Sequence, residues 1–321
     1  MSYEKAYSYD DLLLVPQRSS VDSRSDVDLS TNVTPNVEID VPLVSAPMDS
    51  VTGPELAQAM TDNGGVGIIH RFAEWRERKE WIESVDGKVG ASVGIENDDV
   101  TKAVQFANAG ADFICVDVAH AHLEKCLETV SDLEKCIPVD IMVGNVATRQ
   151  AAKDLLNAGA DSVKVGIGPG SSCITRTKTG HGVPQASAVR EASSLIYFDD
   201  EDYTIVADGG IRNPGDGVKA LMLGANSLMM GGIFGRCEES PSDGDVWGMA
   251  SRNGNTGDFI EGIVSEGEEK YTVSDVFDRF EDGIRSGLSY SAGHTIKEAR
   301  ENAEFTEISL STKERNGGFE I

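Results

Sequence analysis

The sequence predicts a single-domain α/β protein, a closed (β/α)8 or TIM barrel spanning residues 1–321. Two observations carry the prediction. Eight short, nearly continuous apolar runs recur along the chain, and helical stretches ending in glycine separate many of them. Strands covered on both faces need apolar residues at consecutive positions, as in a parallel sheet wrapped by helices. Eight such units, at the length typical of one barrel, favour closure over an open sheet.

The runs are 41–47 (VPLVSAP), 65–70 (GVGIIH), 88–94 (KVGASVG) and 113–118 (FICVDV), then 140–146 (DIMVGNV), 162–168 (SVKVGIG), 204–210 (TIVADGG) and 227–232 (SLMMGG). Between them, residues 53–64, 99–110, 123–135, 148–159 and 215–224 carry apolar side chains at helical spacing, and most end in Gly, the residue that stops a helix in a left-handed conformation. The tetrad AGAD precedes a strand at 109–112 and at 158–161, and LGAN echoes it at 223–226, which marks a repeated helix-turn-strand unit. A doubly wound sheet with a dinucleotide fingerprint is the alternative. The one glycine-rich loop, however, follows the sixth run and carries a Cys, without the acidic ribose partner expected downstream.

Composition narrows the partners. A net charge of −26, from 54 acidic against 28 basic residues, argues against nucleic acid or anionic lipid as partners. The acids are spread along the chain, as in 96–100, 198–203 and 265–270, a pattern that suits a protein adapted to high salt, where screening relieves self-repulsion; an ordinary acidic protein is the plainer reading. Five cysteines without a CxxC pair fit a reducing, cytoplasmic compartment. The amino terminus has no leader pattern, and no run approaches the roughly 18 apolar residues of a membrane span.

Residues 165–176 (VGIGPGSSCITR) place glycines, serines and Cys173 at the C-terminal end of the sixth strand, the end where barrel enzymes do chemistry. Backbone N–H groups freed by glycine, with the serine hydroxyls, could cradle a phosphate and stabilise a thiolate; an inert cysteine in a glycine-rich turn is the bland alternative. The loops at 207–216 (ADGGIRNPGD) and 230–235 (MGGIFG) occupy the pair of positions where barrels often hold phosphate, and Asp208 could take two ribose hydroxyls. Asp117 and Asn145 end the fourth and fifth strands and either line the mouth or cap the following helices. His120 and His122 lack a third ligand at metal spacing and are expected to be loop histidines. Residues 242–270, polar and glycine-rich after the eighth strand, read as a flap over the mouth, and the tail 311–321 as exposed.

With those residues in view, the chain closely resembles the IMP dehydrogenase and GMP reductase family over nearly its whole length. The carrying blocks, in the family's order, are 9–31, 41–52, 64–70, 144–148, 164–176, 207–216 and 283–293. The resemblance implies that Cys173 attacks C2 of a purine 5′-nucleotide, and that hydride passes to or from a nicotinamide. It implies a catalytic set of Cys173, Thr175 and Glu266. Substrate contacts carry over to Ser171, Asp208, Gly209, Gly210, Gly231, Gly232, Gly248, Met249 and Gly267. Cofactor contacts carry over to Asp117, Val118, Ala119, Ile167, Gly168, Ser23, Arg24 and Ser286. Gly168, Gly170, Cys173 and Arg176 match positions that hold potassium in many relatives, and a homotetramer is implied.

Within the family the chain looks closer to the reductases, which use NADPH. Only residues 71–87 separate the second and third runs, where many dehydrogenases insert two regulatory modules. Arg252 precedes Asn253, where dehydrogenases resemble one another in an Arg-Tyr pair that activates water. Lys178, the stretch 117–120 and the Ser23-Arg24 pair also look like reductases. Toward the dehydrogenase, which uses NAD, points the block GGVGIIH at 64–70; Arg71, His181, Trp247 and Ala250 depart from family patterns. A catalytically silent nucleotide-binding paralogue and a flavin-dependent barrel are the readings from other classes.

Overall fold

A computed structural model describes residues 4–170, 173–195, 203–242, 246–247, 264–265 and 270–309. Eight parallel strands close into a barrel: β1 (Leu43–Ser45), β2 (Val66–Ile69), β3 (Val89–Val93), β4 (Phe113–Asp117), β5 (Asp140–Val146), β6 (Ser162–Val165), β7 (Thr204–Asp208) and β8 (Ser227–Met230). Each run expected to be a strand is one, in sequence order, and β8 pairs with β1 to complete the ring. Every strand residue is buried except Asp208, which is half-buried at the end of β7. The strands are shorter than the runs because the glycines behind them belong to loops.

Helices α1 (Pro54–Asp62), α2 (Trp75–Ser84), α3 (Asp99–Asn108), α4 (Glu124–Cys136) and α5 (Arg149–Asn157) follow the first five strands in turn. After β6 come the one-turn α6 (Thr175–Thr179) and α7 (Gln185–Ser193); α8 (Pro214–Met222) follows β7, and α9 (Val273–Tyr290) and α10 (Ile296–Asn302) follow β8. Local chemistry sets several starts. Thr148 and Asn213 accept from the N–H groups of Ala151 and Asp216, and Thr272 forms a reciprocal capping box with Asp275.

The repeated tetrads have a common structural job. Gly110, Gly159 and Gly224 turn the chain at φ +105°, +105° and +114°, values that favour glycine. The next polar residue then reaches sideways to the preceding strand. Asp112 accepts from Val89 N–H at 2.7 Å, Asp161 from Ile141 N–H at 2.8 Å and Asn226 from Ile205 N–H at 2.9 Å. The backbone N–H of each donates back to the carbonyl of the same partner. Each tetrad thus stops a helix and pins β4, β6 or β8 to its neighbour.

One feature of the fold has no counterpart among the sequence expectations. An antiparallel hairpin, Thr31–Thr34 with Val37–Ile39, closes the N-terminal end of the barrel. Val33, Val37 and Ile39 join Phe113, Cys115, Met142, Val206 and Met229 in one interior cluster, while a second, larger core lies between strands and helices. The Ser162 and Thr204 hydroxyls donate to Val33 O, and Asn36 donates twice to the Asp140 carboxylate. A second small pairing, Leu12–Leu14 with Phe305–Glu307, ties the chain's two ends together outside the barrel. Among the described residues, no helix is long and apolar enough to cross a membrane.

Candidate active site

Alternation along the strands decides which side chains reach the barrel interior. Phe113 and Cys115 lie in the interior cluster, so Asp117 points the same way; Met142 does this for Gly144, and Val206 for Asp208. Ser162 bonds the plugging hairpin, which sets Lys164 inward as well. The register then puts Asp117, Gly144, Lys164 and Val206 level with one another, with Asp208 one interior layer above, toward the C-terminal mouth.

At that level lies a polar cluster whose centre is Lys164, 2% exposed. Its ammonium donates to Asp117 Oδ1 at 2.8 Å, to Asn145 Oδ1, and to Asp208 Oδ2 at 3.3 Å. The Asn145 amide donates to Asp208 Oδ2 and to Gly166 O, both at 2.7 Å. Burial alone would lower the Lys164 pKa, but Asp117 and then Asp208 more than reverse this and hold the ammonium charged. Asp117 and Asn145 are therefore mouth residues, not helix caps. Sequence reasoning missed Lys164. Its signal was a lone cation inside the apolar run 162–168, in phase with the interior.

The loop that carries Cys173 leaves β6 at Gly166, where a Cβ would meet Asp208 O at 2.0 Å, so only glycine allows this approach to β7. Cys173 is half-buried; its N–H donates to Gly170 O at 3.1 Å, and its thiol lies 3.2 Å from Thr175 Oγ1. Thr175 opens α6, so the Cys and Thr expected to work together are held side by side. The β7 loop abuts this one. Gly209 and Gly210 adopt φ +88° and +78°, and Cβ atoms there would lie 3.1 Å and 3.3 Å from Pro169. Gln185 clamps the two loops by donating to Val165 O at 2.7 Å and Asp208 O at 3.1 Å. From the β8 loop, Gly231 sits against Met48, whose sulfur would be 2.8 Å from a Cβ.

Two groups implied by the resemblance can be tested for fit. Asp117 Oδ2 is buried without a hydrogen-bond partner among the described residues, which suits a ligand bringing a donor, such as a ribose hydroxyl or a carboxamide of a nicotinamide dinucleotide. For potassium, the loop wraps round Arg176: Cβ atoms on Gly168 or Gly182 would each lie 2.7 Å from Arg176 Cγ, and one on Gly170 would lie 3.6 Å from Cys173 Cβ. Gly168, Gly170, Cys173 and Arg176 thus share one compact turn.

Other expected residues lie elsewhere. Val118 donates to Gly144 O and accepts from Asn145 N–H, which places 117–119 at the mouth. Ser23 caps the short turn Arg24–Asp26, and Ser286, on α9, lines a groove with Leu13, Val15 and Tyr290 that includes no residue of the Cys173 loop. His122 pairs with Asp154 at 2.8 Å, and no group of three or more metal-ligating side chains occurs among the described residues. Ser171, Gly248, Met249, Glu266 and Gly267 lie outside the described residues, as do Arg252, Asn253 and the tail 311–321. Of residues 242–270, Val246–Trp247 and Val264–Ser265 pair antiparallel.

Comparisons with known proteins agree with this geometry. The family model "IMP dehydrogenase / GMP reductase domain" matches residues 6–317. Inosine-5′-monophosphate dehydrogenase of Nitrosopumilus maritimus is 31% identical over an alignment of 463 residues, covering 96% of this chain and 97% of that protein. The corresponding enzyme of Cryptosporidium parvum is 32% identical over 377, with 96% and 93% covered. GMP reductase of Leishmania donovani is 26% identical over 478, with 98% and 96% covered. The crystal structure of a Trypanosoma brucei GMP reductase variant in complex with guanosine 5′-monophosphate superposes with TM-score 0.93 at 25% identity, covering 100% of this chain and 99% of that one. These alignments exceed the 321 residues of this chain for relatives of both names, so inserted sequence does not separate the two activities. A matching family model over nearly the whole chain, a closed barrel and an interior polar cluster beneath a Cys-Thr loop lead to one conclusion: the chain belongs to the IMP dehydrogenase/GMP reductase family.

Proposed function

We propose that this family member is a GMP reductase, converting GMP, NADPH and a proton to IMP, ammonia and NADP⁺. The observation that carries this branch is Arg252 followed by Asn253, which removes the Arg-Tyr pair a dehydrogenase uses to activate water. The Cys173 thiolate adds to C2 of guanine, and the 2-amino group leaves as ammonia, so a C–S bond replaces the C–N bond. Thr175, 3.2 Å from the sulfur, would pass a proton between the thiol or leaving group and Glu266. When bound beside Asp117, a nicotinamide dinucleotide would supply the hydride that leaves C2 as C–H once the sulfur departs. Asp208 with the glycines of the β7 and β8 loops holds ribose and phosphate, Asp117 holds the dinucleotide, and exclusion of water protects the adduct from hydrolysis. Potassium at the Cys173 turn, a homotetramer and a cytoplasmic setting complete the proposal.

The second reading is an IMP dehydrogenase without regulatory modules, turning IMP, NAD⁺ and water into XMP and NADH. Its support is the higher identity to relatives named dehydrogenase, 31% and 32% against 26% for the reductase. Absorbance of the reduced nicotinamide in molar salt separates the two. Consumption of NADPH with GMP is expected; NADH production from IMP and NAD⁺, with none of that consumption, refutes the reductase.

A further inference from the structure

We propose that Lys164 is a positioning residue, the shared counter-ion of Asp117 and Asp208, and that this one buried ammonium fixes the dinucleotide end and the nucleotide-ribose end of the site together. This rests on the assignments of Asp117 and Asp208 under the proposed function.

The valence of the ammonium makes it a positioning group. A lysine has three N–H donors, and all three are engaged inside the protein, by Asp117 Oδ1, Asn145 Oδ1 and Asp208 Oδ2. None remains for a ligand, and at 2% exposure the side chain does not reach solvent. Its effect on any ligand therefore passes through its partners. Those partners span the barrel from β4 through β5 to β7, across the strand that also carries the nucleophile loop. Asn145 stiffens the link, since its carbonyl takes one ammonium proton while its amide holds Asp208 Oδ2 at 2.7 Å.

Charge count gives the same answer. Two carboxylates share one ammonium, and Asp117 Oδ2 is left buried without a partner among the described residues. Without Lys164 the buried Asp117 and half-buried Asp208 carboxylates would face each other with no cation between them, and their side chains would turn apart. The sequence around the lysine is shaped to admit it. Gly144, level with Lys164 on β5, has no room for a Cβ, which would sit 2.5 Å from both Lys164 Cβ and Lys164 O.

Equilibrium binding on the full chain in molar salt tests this, with GMP followed by calorimetry and NADPH by its fluorescence. Asp117→Asn should weaken NADPH alone and Asp208→Asn should weaken GMP alone; these two variants test the underlying assignments. Lys164→Gln should weaken both ligands, each about tenfold or more, and Lys164→Arg should recover part of both losses. Cys115→Ala, in the interior one layer below, should lower the melting temperature while leaving both affinities within about twofold, because a purely structural defect does not select the ligands. Should Lys164→Gln fail to fold, Lys164→Gln with Asp117→Asn removes a carboxylate together with its counter-ion, and GMP affinity must still fall by about tenfold. A folded Lys164→Gln protein that keeps either affinity overturns the proposal. If neither aspartate variant alters its ligand, the site assignments fail, and the proposal fails with them.

Discussion

At the residue scale, the interior of this barrel sorts side chains by phase. Lys164 was hidden in the sequence because a lysine within SVKVG has two readings, a chain end reaching solvent or a cation facing inward, and only closure of the barrel chooses between them. Cys173 was legible because glycine density and position after a strand point to one kind of loop. His70 shows a third case. It ends the second apolar run, is 5% exposed, and accepts the Phe72 N–H at Nδ1 with Trp81 edge-on to its ring. Burial first, and then the Arg78 guanidinium, lower its pKa to about 4. The folded pKa lies below that of an unfolded histidine, so between about pH 6.5 and 4 the unfolded chain binds a proton that the native one refuses. Stability is therefore complete above this window and falls as pH drops through it, by roughly 3 kcal/mol in all. In urea titrations at pH 7 and pH 4.5, His70→Asn should lose less stability than the wild-type chain. Equal losses in both proteins would remove His70 from the acid response.

At the scale of elements, the eight strands were legible because both of their faces are covered, which leaves an apolar signal at every position. Boundaries shifted where glycine runs continue past the last ladder bond, as at Gly166–Gly170. The plugging hairpin was not legible. Its strands are only four and three residues long, too short for either period to emerge from the sequence. The AGAD repeat was visible, but its side-chain bridge was not, because the acceptor's partner lies about 20 residues upstream. That bridge can be measured at β6. Asp161→Ala leaves the Ile141 N–H unpaired and should cost about 1–3 kcal/mol in urea unfolding at pH 7. Asp161→Asn keeps an acceptor, as Asn226 does in the third unit, and should cost less than half as much. Equal costs would mean that the turn's backbone, not the bridge, sets the contribution.

For the whole molecule, the barrel brings residues 117, 145, 164, 173 and 208 to one mouth although they are spread over 92 positions of the sequence. Fold and family were legible because motif order and strand count point to the same architecture, and the matching family model and the closed sheet confirm it. The branch within the family was not, since the resemblance ties it to residues 248–267, of which the described backbone covers only Val264–Ser265. The net charge of −26 belongs at this scale too, because it acts on the molecule as one field that dissolved salt screens, and the reading of adaptation to high salt predicts that stability falls as salt is removed. The claim on which the functional reading stands is covalent attack by Cys173. The most direct test is peptide mass mapping after acid quench during turnover with GMP and NADPH. The peptide carrying Cys173 should gain the mass of a purine nucleotide, and Cys173→Ala should neither carry the adduct nor turn over. An unmodified Cys173 peptide during sustained turnover, together with an active Cys173→Ala protein, would contradict it.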